Sequence, residues 1–121
     1  MKTYLLFILV LLCGFTAKAL DPTVTNPEKY KVILENDKVR VLDYLDKPGE
    51  KTIMHHHPAF ILYALSDFKR KLTFPDGTSK SREFKAGEIF WMDAQSHIGE
   101  NIGNTETHVL LVEMKDKEKR D

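Results

Sequence analysis

From residue 31 onward, apolar residues come in short runs that are separated by turn residues. The runs are rich in Val, Ile, Phe and Tyr and often alternate with polar residues, as half-buried strands do. Residues 60–65 are apolar on both faces, which predicts a strand in the middle of a two-layer or closed structure. About nine such strands, with no convincing helical periodicity, predict an all-β sandwich, jelly roll or barrel.

Turn residues divide the chain between these strands. Asn36-Asp37, Pro48-Gly49 and residues 86–88 predict turns, and Pro75-Asp76-Gly77-Thr78 predicts a hairpin. Residues 93–96 predict a loop that delivers His97, and residues 107–114 predict a buried last strand. We therefore expect an extended N-terminal segment at residues 20–30, one β-barrel at residues 31–115 and a solvated charged tail at residues 116–121.

The first 19 residues have the anatomy of a secretion signal. Lys2 precedes an apolar stretch at residues 5–12, and Ala17-Lys18-Ala19 supplies small residues before a cleavage site. This pattern predicts cleavage after Ala19 and export to the periplasm or the medium. A membrane anchor is the alternative, but the apolar stretch falls short of the roughly 20 residues that span a bilayer. Lipid attachment at Cys13 is a second alternative, disfavoured because Leu12 precedes that cysteine.

Composition narrows the function classes further. A chain of 121 residues that is 42% hydrophobic suits one compact domain. The formal net charge is zero, so no overall electrostatic argument favours nucleic acid or an anionic membrane surface. Cleavage would remove the only cysteine, Cys13, which excludes disulfides and thiolate chemistry from the mature protein and leaves no stable membrane span.

Three consecutive histidines follow the Pro48-Gly49 turn. Because side chains on a strand alternate between its faces, His55 and His57 share one face and His56 points the other way. Two imidazoles at this spacing can reach a single metal ion, and a third ligand has to come from elsewhere in the chain. A pair of half-buried polar residues is the alternative interpretation of the same pattern.

Two motifs of the chain resemble those of the cupin family, which are small double-stranded β-helix proteins. Gly49, five residues and then His55–His57 are similar to the first motif. Gly87, a loop, His97 and Asn101 are similar to the second, with a loop that is one residue shorter than usual. The resemblance covers residues 39–114 and implies a single-domain cupin-type double-stranded β-helix, or jelly-roll barrel. It also implies a homodimer paired through edge strands.

The resemblance implies that His55, His57 and His97 are the ligands of a divalent transition metal, which is iron, manganese, nickel, copper or zinc. The chain departs from the family at the glutamate that normally completes the first motif. Residues 60–62 stand there instead, and no carboxylate is near them in the sequence. Three histidines still form a complete site with open positions, and its higher net charge favours anionic ligands.

Other residues are candidates for catalysis or for the pocket wall. Tyr63 can donate a proton or bind a carboxylate if it points into the barrel, and Glu100 or Glu106 can act as general base. The alternative is that Tyr63 only packs in the core and that Glu100 and Glu106 are solvated loop acids. The remaining candidates for the second shell or the pocket are His108, Asn101, Trp91 and Phe60, and Phe90 and Met92 are expected in the core or pocket lining.

Three hypotheses for the function remain at this stage. The first is an exported metal-dependent enzyme, of dioxygenase or isomerase type, that acts on a small organic molecule. The second is a non-catalytic module that binds a small ligand through the same site. The third is a structural domain without a functional metal. Since one fold hosts many functions, the choice depends on the site.

Overall fold

The computed structural model describes residues 20–115, which form one short helix and nine strands. The helix is α1 (Pro22–Thr25), and the strands are β1 (Tyr30–Glu35), β2 (Val39–Asp46), β3 (His55–His57), β4 (Phe60–Ala64), β5 (Phe68–Thr73), β6 (Ser79–Phe84), β7 (Ile89–Met92), β8 (Gln95–Asn101) and β9 (Thr107–Met114). The predicted secretion signal at residues 1–19 and the charged tail at residues 116–121 lie outside the described residues. No helix of the described part is long and apolar enough to cross a membrane.

The strands form two sheets whose neighbours all run antiparallel. The first sheet has the order β1-β2-β9-β4-β7, and the second has the order β3-β8-β5-β6. Most neighbours in these sheets are not consecutive in the chain, as in a jelly roll. The predicted all-β class is therefore confirmed, and β3 with the histidines becomes an edge strand of the smaller sheet.

The core lies between the inner faces of the two sheets. On β9 the buried residues alternate with half-buried ones, and β4 buries Phe60, Leu62 and Ala64 on the same side. The opposite face of β4 carries Ile61 and Tyr63, and Tyr63 is 38% exposed. The apolar stretch at residues 60–65 is thus a central strand as expected, but only one of its faces is buried.

The hairpin between β5 and β6 follows the prediction from its turn residues. The side chain of Asp76 accepts a hydrogen bond from the Thr78 amide at 2.9 Å, as aspartates in tight turns do. Gly77 has a φ of 86°, which residues with a side chain rarely adopt. The hairpin places Arg70 of β5 directly opposite Arg82 of β6.

The segment before the barrel differs from the prediction. Instead of being extended throughout, it contains the single helical turn α1. Asp21 caps this turn by accepting a hydrogen bond from the Thr23 amide at 2.8 Å, and Pro22 occupies the first helical position, where its fixed φ is favourable. Asp21 and Pro22 therefore start a helical turn within the segment that was predicted to be extended.

Strand β8 was predicted only as a loop followed by turn residues. Gly99 and Asn101 have low strand propensity, which obscures the strand in the sequence. The structure gives the reason for the glycine, because a Cβ at position 99 would lie 2.2 Å from a terminal nitrogen of Arg70. A glycine inside a strand here marks the close approach of another group.

Candidate metal centre

Strands β3 and β8 bring three histidines together on the inner face of the smaller sheet. His55 and His57 alternate with His56, and only the outer two are buried. Antiparallel pairing sets His97 directly opposite His55. One candidate ligand atom from each of His55, His57 and His97 lies within 4.8 Å of the others. His56 faces away from them, and its Nδ1 lies 2.9 Å from the Ser96 hydroxyl.

Hydrogen bonds fix the orientation of two of the rings. Nδ1 of His55 lies 2.9 Å from the Ile53 carbonyl oxygen, and Nδ1 of His97 lies 2.9 Å from the Gln95 side-chain oxygen. Because both oxygens accept, each Nδ1 donates and the lone pair of each ring is on Nε2, and on His55 the Tyr30 hydroxyl faces this nitrogen at 3.2 Å. Outer partners of this kind hold metal-binding histidines in the correct tautomer.

Burial keeps these rings neutral. It lowers the pKa of His55 from 6.5 to about 4, with a further contribution from the neighbouring His57. Burial likewise lowers the pKa of His97 from 6.5 to about 2, aided by His57 and then His55. A metal ion requires the neutral imidazole, so His55 and His97 need no deprotonation at neutral pH.

A carboxylate that the sequence analysis did not find lies beside His57. Glu113 of β9 is 1% exposed, and its Oε2 lies 3.5 Å from Nδ1 of His57. Among the described residues, neither Oε2 of Glu113 nor Nδ1 of His57 has a hydrogen-bond partner, which is costly for buried polar groups. The other carboxylate oxygen of Glu113 accepts two hydrogen bonds from Arg40, at 3.1 and 2.7 Å. Strand alternation could have found Glu113, since it shares the inner face with Thr107, Val109 and Leu111.

Glu113 changes the interpretation of the missing glutamate. Phe60 stands in the region where the family motif has an acid, and Glu113 is its direct partner across the neighbouring strand. The site therefore has a carboxylate nearby, although it comes from the last strand. Three imidazoles suit a divalent transition metal, and a carboxylate that faces the far nitrogen of a ligating histidine, as Glu113 faces Nδ1 of His57, is a common outer partner. The residues present fit the metal.

A cavity of about 530 Å³ adjoins the histidines, and both His57 and His97 line it. Its apolar wall includes Phe60, Leu62, Phe68, Phe84, Val109 and Leu111. Its charged lining residues are Arg70, Lys80, Arg82 and Asp93. A cavity of this size and character can hold a small organic molecule.

Tyr30 is a second residue of the site that the sequence analysis missed. Its hydroxyl lies 3.2 Å from Nε2 of His55 and lines the cavity. Burial raises the pKa of this hydroxyl far above its usual value of 10, so Tyr30 remains a proton donor. Nothing in its sequence context marked it, because Tyr30 lies at the end of the segment that was expected to be extended.

Several of the predicted site residues lie outside the cavity. Tyr63 and Trp91 are on the outer face of the larger sheet, and Trp91 is 59% exposed. Glu100 alternates with the buried residues of β8 and points outward. His108 is also outward, where its Nε2 lies 2.7 Å from Asp43. The structure thus places the candidate catalytic residues Tyr63 and Glu100 and the candidate pocket residues Trp91 and His108 outside the cavity, because each is at an outward-facing position of its strand.

Phe60 and Asn101 lie on the inner side. Phe60 lines the cavity, and its ring centroid is 4.9 Å from that of His57. Asn101 is buried and donates hydrogen bonds to Asp46 at 3.0 Å and to the Thr105 carbonyl at 2.8 Å. Its side-chain oxygen accepts from the Gly103 amide, so Asn101 organises its own loop.

Comparisons with solved structures show the fold. The chain is similar to a cupin domain from Bordetella pertussis, with 22% identity, 72% of this chain and 92% of that chain covered, and a TM-score of 0.66. It is similar to a double-stranded β-helix protein from Klebsiella pneumoniae, with 19% identity, 84% and 88% covered, and a TM-score of 0.57. It is also similar to the polyketide cyclase RemF from Streptomyces resistomycificus, with 17% identity, 74% and 66% covered, and a TM-score of 0.55.

These likenesses confirm the predicted cupin-type double-stranded β-helix, and at this level of identity they show the fold alone. No protein-family model matches the chain, and no curated protein sequence matches it either. The site must therefore be judged from its own residues.

Proposed function

We propose that the protein is an exported cupin that holds one divalent transition metal on His55, His57 and His97 and binds a small organic anion beside it. The observation that carries this proposal is the convergence of three buried histidines, each with one candidate ligand atom within 4.8 Å of the others. A bound metal would supply Lewis-acid or redox chemistry. Glu113 would face His57 from outside the site, the Tyr30 hydroxyl would lie beside the metal-binding nitrogen of His55, and the apolar wall would exclude water.

The charges of the cavity support an anionic ligand. Lys80 and Arg82 line it together with Arg70, which is paired with Asp46, and Asp93 is the one acid among its lining residues within residues 20–115. The carboxylate of Glu113 is held by Arg40, so it does not offset these cations. An anion would therefore enter a pocket with an excess of positive charge.

The first experiment is elemental analysis of the protein recovered from the periplasm or medium and purified without a histidine tag. We expect one equivalent of metal in the parent and its loss in His55→Ala, His57→Ala and His97→Ala, because each variant leaves two ligands. His56→Ala is the matched control and should keep the metal, since His56 faces away from the site. The mass of the same sample reports whether cleavage occurs near Ala19.

Absence of metal in the parent, together with no uptake by the metal-free protein, would contradict the proposal. So would metal content that is unchanged in all three variants. In either case the barrel is a structural or ligand-binding module, and the histidines are ordinary residues of its pocket.

Catalysis is the second candidate, and Tyr30 is the observation that favours it. Its hydroxyl is a protonated donor 3.2 Å from His55 and inside the cavity. The same fold serves catalysis in the polyketide cyclase. Turnover that follows metal occupancy would support an enzyme. A ligand that raises the melting temperature without forming product would support a binding module, since a ligand at 100 times its Kd stabilises by about 2.7 kcal/mol.

A homodimer is supported by the exposed edge of the larger sheet. Val32, Ile33 and Leu34 on β1 are consecutive and are 46%, 56% and 50% exposed. Such an edge strand can pair with a second copy. We expect light scattering to give a dimer for the parent and a monomer for Ile33→Lys, because a buried charge disrupts an apolar contact. Ile53→Lys is the matched control, because Ile53 is 57% exposed but lies outside the edge strands.

A monomeric parent would contradict the dimer. A dimer that survives Ile33→Lys and Leu34→Lys would show that another surface pairs.

A further inference from the structure

The inner face of β6 places two cationic side chains, Lys80 and Arg82, at the cavity. Lys80, Arg82 and Phe84 alternate along the strand and all line the cavity. Arg82 lies directly across from Arg70 of β5. Two like charges at such a position repel each other, so their surroundings must differ.

Arg70 is neutralised by the protein itself. It is buried, and it donates to Asp46 at 2.8 Å and to the Tyr44 hydroxyl at 3.0 Å. Asn101 donates to the other oxygen of Asp46. Arg70 is therefore fixed in a closed network, and its guanidinium has an internal counter-ion.

Arg82 has no such counter-ion. Its guanidinium carbon lies 3.9 Å from the ring centroid of Phe90 and 5.3 Å from that of Phe84. These contacts hold the guanidinium against the two rings without using its N–H donors. Within residues 20–115, Arg82 makes no ion pair and no side-chain hydrogen bond. Because it both lines the cavity and is exposed, Arg82 lies where the cavity opens to solvent.

We propose that Arg82, assisted by Lys80, forms an anion-binding subsite at the mouth of the cavity. A planar guanidinium with free donors matches a carboxylate in a two-pronged hydrogen bond. The apolar wall between Arg82 and the histidines suits a hydrocarbon or aromatic body. This inference rests on the proposed function and specifies its ligand as an amphipathic organic acid, with its carboxylate at Arg82 and its other end toward the histidines.

The size of the cavity supports an acid of this kind. At about 530 Å³ the cavity is larger than a simple anion such as acetate requires, and it falls within the range of pockets for drug-sized ligands. An anion that only filled the metal's open positions would leave the apolar wall without contacts. Arg82 on β6 and the histidines of β3 lie at opposite edges of the smaller sheet, and this separation accounts for both features.

The test uses calorimetry to measure how tightly the metal-loaded mature protein binds cinnamate and cinnamamide. The two compounds have similar shapes, but only cinnamate is charged. We expect the parent to bind the carboxylate about tenfold to a hundredfold more tightly, the range for hydrogen bonds to charged groups. Arg82→Gln should reduce this preference to near unity and leave the amide affinity unchanged. Arg82→Lys should retain part of it, since the charge remains but the fork is lost.

Lys71→Gln is the matched control, because Lys71 carries the same charge on the outer face of β5. It should keep the preference of the parent. A preference that persists in Arg82→Gln, equal affinities in the parent, or no binding of either compound at millimolar concentration would overturn the subsite. Zinc titration of the same proteins reports on the proposed function separately. If the parent does not bind zinc but Arg82→Gln still removes the preference for cinnamate, only the metal proposal is contradicted. If the parent binds zinc but Arg82→Gln leaves the preference unchanged, only the subsite is contradicted.

Discussion

The metal-free protein is expected to lose several kcal/mol of its free energy of unfolding when the pH falls from 6.5 to 4. Burial holds the pKa of His55 at about 4 and that of His97 at about 2 in the folded state. In the unfolded chain both return to about 6.5. Below pH 6.5 the unfolded chain therefore binds two protons that the folded protein excludes, and acid favours unfolding.

The sign and the pH range follow from these pKa values. The stabilisation that comes from keeping His55 and His97 neutral is fully present above pH 6.5. As the pH falls, each of the two lowers the free energy of unfolding by up to about 1.4 kcal/mol per pH unit. The contribution of His55 levels off near pH 4, whereas that of His97 continues toward pH 2. Between pH 6.5 and 4 the two together approach about 6 kcal/mol, which is comparable to the whole stability of many domains.

Urea denaturation at pH 7, 6, 5 and 4 after treatment with a chelator measures this loss. His97→Gln should flatten the pH dependence, because the glutamine does not titrate. His56→Gln is the control and should behave as the parent, since His56 is exposed on the other face of β3. Equal stability at pH 6.5 and pH 4 would show that the buried histidines do not control acid unfolding. Partial burial raises the pKa of Asp21, but hydrogen bonds to Thr23 and Arg40 lower it further, to below its usual value of 3.8. Protonation of Asp21 therefore reduces the free energy of unfolding only below about pH 3.8.

The histidine trio could be predicted because its geometry is local and periodic. Alternation along β3 separates His55 and His57 from His56, and the glycine-to-histidine spacings resemble known motifs. The all-β class followed from short apolar runs and clear turn residues. Each of these signals spans only a few residues of the chain.

The rest of the site depends on contacts between distant segments. Strand alternation marks Glu113 as inward, but no local pattern shows that it meets His57, which lies on β3 of the other sheet. Tyr30 reaches His55 because β1 pairs with β2 at Tyr44. A register that differed by one residue would turn every one of these side chains to the other face.

The misplaced candidates have a physical explanation as well. Residues 60–65 are apolar on both faces, so their pattern cannot tell which side faces the cavity. Tyr63 and Trp91 belong to the outer face of the larger sheet, where exposed apolar side chains resemble pocket residues in sequence. Glu100 was favoured because it is close to His97 in the chain, but odd spacing on a strand places the two on opposite faces.

Glu113→Gln is expected to weaken metal binding by about tenfold to a hundredfold, the usual effect of removing the outer partner of a ligating histidine. Oε2 of Glu113 faces the far nitrogen of His57 at 3.5 Å, and Arg40 holds the carboxylate in place. The glutamine keeps the shape but loses the negative charge that faces Nδ1 of His57. Zinc titration measures the affinity, and Glu113→Asp tests whether a shorter carboxylate restores part of it.

Glu113 also has a structural role, which a second pair of variants separates. Glu113→Ala should cost about 1–3 kcal/mol of unfolding free energy, because Arg40 loses its buried carboxylate partner and keeps only the part-exposed Asp21. Arg40→Met combined with Glu113→Leu removes both charges and should recover much of that stability. If Glu113 positions His57, the double variant still binds zinc weakly although it is stable. Zinc affinity that recovers together with stability would instead limit Glu113 to being the partner of Arg40.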